Sequence, residues 1–243
     1  VSGEPLAYEM ILEPSRLPML PLLEATPARE GDAPRLEPQG LRSFLRPDSQ
    51  WMTERAVTER LRVSARAYLT HRQGPLEDDA SLRDYVDLPA GYNPRTLEWA
   101  TALQRQPALA GATPERYVQA VLDHITRGFS YTLTPGGYGD EEGRHAIDEF
   151  WLDRREGFCE HFSAAFVVVM RALDVPARIV TGYQGADAQP QDGWTVVRNS
   201  HAHAWAEIWI EGRGWLRVDP TAAVAPERIV RSRSLRPRPG FVA

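Results

Sequence analysis

The chain has 243 residues, 42% hydrophobic and 25% charged, a balance that fits a folded globular protein and excludes collagen-like, low-complexity and wholly disordered chains. Its formal net charge is −5, so it offers no global basic field for phosphates, and nucleic acid is not expected as a partner. No apolar run approaches the roughly 18 to 20 residues that span a bilayer and no signal segment is present; the chain opens with Val1 and reads as an excised piece of something longer.

Proline recurs from Pro5 to Pro47, which forbids long helices and favours short extended pieces joined by turns. From Glu59 to Tyr68 the run alternates, with Leu61, Val63, Ala65 and Ala67 on one face and Arg60, Arg62, Ser64 and Arg66 on the other, the signature of a half-buried strand. Leu6 to Leu12 is its candidate partner. Residues 1–88 are therefore expected to form a small antiparallel β-domain that serves packing or partner docking.

Composition changes after Leu88-Pro89-Ala90-Gly91, and residues 89–227 read as a second domain. Asn93-Pro94-Arg95 starts a helix running through Gln104, and Thr113-Pro114 starts another that carries Tyr117, Val118, Val121, Leu122 and Ile125 and ends by Gly128. Phe129 to Leu133 reads as extended. Thr134 to Gly143 reads as a glycine-rich acidic loop, with Asp140-Glu141-Glu142 a solvated face rather than a calcium site. Phe158 to Leu173 is apolar nearly all round, so it is expected to be a buried central helix, stopped by Val175-Pro176. Strand candidates follow at Ala177–Gln184, Trp194–Arg198, Ala202–Ile210 and Trp215–Asp219. Helices followed by strands predict an α+β fold in which one helix packs on an antiparallel sheet. Residues 228–243 read as a basic tail or linker.

Cys159 is the single cysteine, which excludes an internal disulfide and any multi-thiolate zinc site. It stands at the start of the buried helix, where unpaired N–H groups and the positive end of the dipole favour thiolate. A thiolate nucleophile needs a histidine to hold and return its proton, and a carboxylate or amide to orient that histidine. His71, His124, His145 and His161 read as surface or satisfied core histidines. In the run NSHAHAWAEIWI, alternation puts His203, Trp205, Glu207 and Trp209 on one face, with His203 inside the strand and His201, the second choice, at its mouth. The orienting group is expected from the strand ending at Asp219. Paired residues of a hairpin share a face and have a constant sum of numbers, so His203 and Asp219 can meet only if that sum is even. A two-residue turn fails this test. A three-residue loop, Glu211 to Arg213, passes it and makes His203 and Asp219 diagonal neighbours, so an odd-length loop or a bulge is expected. Zinc binding by His201, His203 and Asp219 is the weaker reading, because the two histidines splay.

Gly157-Phe158-Cys159-Glu160-His161-Phe162, Pro176-Ala177-Arg178, Thr181-Gly182-Tyr183, His203-Ala204-Trp205-Ala206-Glu207 and Gly214 to Thr221 together resemble the transglutaminase core superfamily with its papain-like Cys-His-Asp arrangement. More narrowly, the chain resembles the soluble domain of bacterial membrane-anchored transglutaminases of the TgpA type, densely from about 88 to 226 and more loosely before. The resemblance implies a papain-like α+β core with Cys159 as nucleophile, His203 as general base and acid, and Asp219 as its orienting group. It implies acyl transfer from a glutamine side-chain amide to an amine, on protein or peptide substrates. Tyr131, Trp151 and Trp205 are candidates for the cleft, the first two as side-chain oxyanion donors beside the Cys159 N–H. Neither metal nor cofactor is implied. The resemblance also implies membrane anchoring through segments absent from this sequence and a location on the periplasmic face of a bacterial inner membrane. Two alternatives stay open: a cysteine protease or amidase using the same triad, and an idle module that binds peptide or cell wall. All 28 basic residues are arginine, which matters if the acceptor is lysine.

Overall fold

The computed structural model describes residues 1–139 and 145–225; the Asp140-Glu141-Glu142 run and the 228–243 tail lie outside the described residues. The chain divides into two compact units, Val1–Gln73 and Gly74–Ala243.

The first unit holds strands β1 (Leu6–Leu12), β2 (Arg35–Glu37), β3 (Ser43–Leu45), β4 (Trp51–Thr53) and β5 (Leu61–Ala67). β5 lies between β1 and β2 and is antiparallel to both, while β3 and β4 form a separate antiparallel pair. The alternation of β5 is realised: Leu61, Val63, Ala65 and Ala67 are buried and Arg62 and Arg66 exposed. Its register places Leu6 opposite Ala67 and Leu12 opposite Leu61, the partnership expected from the sequence. Leu20, Trp51 and Val57 close the core over Leu61 and Val63. The buried Trp51 indole donates to the Thr26 carbonyl at 2.8 Å, which avoids the cost of an unsatisfied donor.

Residues 74–88, expected in the first domain, belong to the second unit, and the reason lies in its tryptophans. Gly74 has φ +82°, and a Cβ there would lie 2.4 Å from Trp215 Cδ1, so only glycine lets the chain pass this ring. Trp209 Nε1 donates to the Pro75 carbonyl and the Gly212 N–H to that of Leu76, each at 2.7 Å. Leu82 and Tyr85 then cover Trp209 and Trp215. Too few apolar residues mark this strap for periodicity to reveal it.

The helices follow as α1 (Pro94–Gln104) and α2 (Pro114–Gly128), then the short strand β6 (Ser130–Tyr131). The α1 N-terminus is closed by the buried carboxylate of Asp148, which accepts from the Thr96 N–H at 2.7 Å and the Arg95 N–H at 3.2 Å. Asp148 ends α3 (Ala146–Asp148), which runs on as a wide turn over Glu149–Arg154 and leads into β7 (Glu156–Gly157). β7 pairs in parallel with β6, Tyr131 opposite Gly157.

Central helix α4 (Cys159–Ala172) begins two residues beyond that pair. Its 14 residues span about 21 Å at 1.5 Å each, and Phe162, Ala165, Phe166, Val169 and Met170 are wholly buried. β8 (Ala177–Tyr183), β9 (Ala202–Ile210) and β10 (Gly214–Val218) form an antiparallel sheet in the order β10-β9-β8. Ala177, Ala206 and Ile208 join the α4 side chains in one core, the two alanines leaving room for a close approach. The unit is thus α+β, with a buried helix packed on an antiparallel sheet. Trp194–Arg198, expected as a strand, is not one: Gln191 and Trp194 form only an isolated bridge around the Asp192-Gly193 turn. Arg198 is drawn instead to Asp187, at 2.8 Å.

Candidate active site

Cys159 enters its helix from an extended segment. Gly157 and Phe158 precede it, and the Thr132 N–H donates to the Gly157 carbonyl at 2.8 Å, tying the entry to β6. A Cβ on Gly157 would fall 2.9 Å from His161 Cβ and 3.0 Å from Phe150 Cε2, so the entry is as tight as glycine permits. His161, one turn into the helix, turns back so that its Nδ1 accepts from the Phe158 N–H at 3.4 Å. It caps the start of its own helix.

The β9–β10 hairpin has the odd loop that the sequence required. Gly214 pairs with Ile210 and Val218 with Ala206, leaving Glu211, Gly212 and Arg213 as a three-residue connection. One step beyond the last pair, Asp219 is diagonal to His203, and His203 Nε2 lies 2.9 Å from Asp219 Oδ2. The Cys159 thiol lies close enough to the His203 ring and to the backbone N–H groups of Ala204 and Glu160 for all three to act on its charge. Cys159 is half-buried, while the side chains of His203 and Asp219 are 13% and 9% exposed, so the line opens to solvent at the sulfur end.

Burial pushes the Cys159 thiol up, but the hydrogen bond from His203, the Ala204 and Glu160 amides and the His203 charge outweigh it and leave the thiol below its ordinary value. Burial likewise works against a charged His203. Asp219 on one side and Cys159 on the other prevail, and raise its pKa to about 9. The two shifts have one physical meaning: the site favours a thiolate–imidazolium pair over two neutral groups.

Trp205 lies on the same face as His203, with ring centroids 6.2 Å apart and planes 24° from parallel. Gly182, opposite His203 on β8, leaves room for it, since a Cβ there would be 3.0 Å from Trp205 Cη2. Tyr131 sits beside the entry to α4, half-buried and stacked on Phe162 at 6.5 Å. The Trp151 ring is fully buried and packed against Trp99, His124 and Phe129, because the wide turn 149–154 points both Phe150 and Trp151 into the helical core. Its indole N–H has no hydrogen-bond partner among the described residues.

The sequence reading missed Arg217. Its Nη2 lies 3.3 Å from Asp219 Oδ2 and bonds Gln184 Oε1, and its guanidinium lies over the Trp205 ring at 4.1 Å. Parity could have found it, since Arg217 is two residues from Asp219 and opposite Glu207. His201 is occupied elsewhere: its Nδ1 accepts from the Arg198 N–H at 2.9 Å and its Nε2 lies 3.9 Å from Asp187. Among the described residues, no three His, Cys, Asp or Glu side chains gather as a metal site.

A buried helix begins at the lone cysteine and packs on an antiparallel sheet whose hairpin carries the His203–Asp219 pair. The chain belongs to the transglutaminase-like superfamily, whose core model matches residues 101–220. Over 230 residues it is 35% identical to the protein-glutamine gamma-glutamyltransferase of Pseudomonas aeruginosa, covering 93% of this chain and 31% of that one. It is 32% identical over 109 residues to the uncharacterized protein YebA of Bacillus subtilis, covering 43% of this chain and 15% of that protein. The chain thus spans about a third or less of these relatives' lengths. Its fold is similar to the crystal structure of the periplasmic domain of TgpA from P. aeruginosa, with a TM-score of 0.77 and 33% identity over 95% of this chain and 74% of that one. A second structure of that domain, bound to ethylmercury, gives a TM-score of 0.76.

Proposed function

We propose that this chain carries out acyl transfer from a glutamine side-chain amide to a primary amine, with Cys159 as nucleophile, His203 as general acid and base, and Asp219 as the group that orients the imidazole. The observation that carries the reading is the 2.9 Å contact between His203 and Asp219, with His203 close enough to Cys159 to act on its thiol. The thiolate attacks the amide carbon, and the charge moves to the carbonyl oxygen. The Cys159 N–H, which as the first of the helix has no carbonyl of its own helix to bond, points the dipole's positive end at that oxygen. The Tyr131 hydroxyl, on the strand paired to the cysteine's approach, is our candidate second donor. The His203 imidazolium gives its proton to the leaving nitrogen, ammonia departs, and a thioester remains. An amine then attacks the thioester, the now neutral imidazole takes the amine's proton, and collapse releases a secondary amide and restores the ion pair.

Protein or peptide glutamines are the proposed donors and amines the acceptors. We place the chain on the periplasmic side of a bacterial inner membrane, held by segments outside this sequence. The location rests on its likeness to the TgpA domain. No helix among the described residues is long and apolar enough to cross a membrane.

The test is incorporation of a fluorescent primary amine into lysine-blocked casein, compared with Cys159→Ala, with new amino termini followed in the same tube. Incorporation that needs Cys159 and yields no cleavage is the expected result. Cleavage without incorporation would reassign the same three residues to a cysteine protease, and absence of both signals would favour a binding module.

A further inference from the structure

The polar contacts around Asp219 are unequal. Its Oδ2 accepts from both His203 Nε2 and Arg217 Nη2, whereas its Oδ1 is buried with no hydrogen-bond partner among the described residues. No hydrogen bond on the Oδ1 side therefore helps to hold the carboxylate, and its orientation is set through Oδ2. Arg217 is itself held from two directions. Its Nη2 bonds Gln184, the residue that follows β8, and its guanidinium rests on Trp205, whose ring lies nearly parallel to that of His203. The Gln184 backbone is in turn fixed, its N–H donating to the His201 carbonyl at 2.9 Å just before β9. Strands β9 and β10 and the residue after β8 thus contribute to one bracket around the carboxylate.

We propose that Arg217 is a positioning residue for this site: by bridging Asp219 to Gln184 while lying on Trp205, it locks the carboxylate in the orientation that holds His203. The inference rests on the reading of Cys159, His203 and Asp219 as one reacting array. Arg217 touches none of the reacting atoms and acts through Asp219 alone.

Two physical effects of removing Arg217 have opposite signs, which makes the proposal testable. If the guanidinium acted only as a nearby positive charge, its loss would ease protonation of His203. If it positions Asp219, its loss frees the carboxylate to turn away, and the imidazolium loses its partner. The experiment follows the His203 imidazole resonance against pH in wild type, Arg217→Gln, Arg217→Lys and Gln184→Ala, with melting temperature and amine-incorporation kinetics measured on the same preparations. In Arg217→Gln the titration midpoint is expected to fall by about one unit, and kcat roughly 10- to 100-fold, the loss typical when the outer partner of a fixed ligand is removed, with little change in KM. Gln184→Ala, which leaves Arg217 and the array intact, should move both in the same direction by less. Arg217→Lys keeps the charge without the planar fork and should recover only part of the loss.

A midpoint that stays put while the melting temperature drops would make Arg217 merely structural, and a midpoint that rises would make it a simple charge; either overturns the proposal. Should Arg217→Gln not fold, the Gln184→Ala midpoint decides by the same criterion. Because the titration needs no substrate, a falling midpoint in a protein that transfers no acyl group would sink the transglutaminase reading and leave the positioning role standing.

Discussion

His203 and Asp219 meet diagonally across a hairpin, Nε2 to Oδ2 at 2.9 Å, because the connection between β9 and β10 has three residues rather than two. That parity gives both side chains the same face of the sheet. The cysteine comes from a separate element, so the site assembles only when α4 packs on the sheet.

Replacing the nucleophile tests the chemistry without disturbing the core. Cys159→Ala should reduce amine incorporation by about 10⁴-fold or more, the scale seen when a triad nucleophile is removed. Cys159 is half-buried at a helix start, so thermal melting should change little.

Activity should depend on pH in a bell shape. The rate rises as the pH passes the depressed pKa of Cys159, because thiolate forms, and falls as the pH passes about 9, because His203 loses the proton it must give to the leaving nitrogen. Iodoacetamide labelling of this single cysteine offers an independent check. Alkylation at pH 7 should be faster than that of an ordinary thiol, which with a pKa near ~8.5 is mostly protonated there. Reactivity that appears only above about pH 8 would contradict the ion pair.

The two tryptophans proposed for the cleft should separate cleanly. Trp151→Ala should lower unfolding free energy by about 3 to 5 kcal/mol, as expected for a fully buried aromatic ring. Trp205→Phe should melt close to wild type yet lose several-fold in kcat, since the ring beneath Arg217 becomes smaller. Calorimetry beside steady-state kinetics distinguishes the two.

Gly157→Ala should damage function more than stability. The added Cβ would stand 2.9 Å from His161 and 3.0 Å from Phe150, so the first turn of α4 must shift. We expect a loss of about 1 to 3 kcal/mol in stability but roughly 100-fold in kcat/KM, because a small displacement of a reacting atom is costly.

A chain without lysine cannot crosslink to itself through lysine side chains. Purified protein incubated without added amine should stay at its own mass on denaturing gels, and a covalent ladder would show an acceptor other than a lysine side chain.

Much of the site was legible because it obeys simple periodicities. β9 alternates cleanly enough to set His203 apart from Ala204, and the even-sum condition predicted the loop before any coordinates. Helix α4 announced itself by its apolar run, and its position alone gave Cys159 meaning. What stayed hidden depended on direction rather than on residue type. The full burial of Trp151 was not legible, because nothing in its neighbours says that the wide turn 149–154 aims its ring inward. Arg217 was overlooked because one arginine among 28 carries no signal until a carboxylate, an amide and an indole converge on it. The 74–88 strap was invisible for a similar reason, its anchors being backbone carbonyls that accept from distant tryptophan and glycine donors.

That strap determines where the second unit can be cut. A fragment trimmed to begin at Pro89 would strip Leu82 and Tyr85 from the sheet, bare the rings of Trp209 and Trp215 to water, and deprive the Trp209 indole of its carbonyl acceptor. Two adjacent indoles on an uncovered sheet are an adhesive surface, and such a fragment should precipitate or self-associate. The shortest well-behaved form of the second unit starts at Gly74, the glycine that fits against the edge of Trp215.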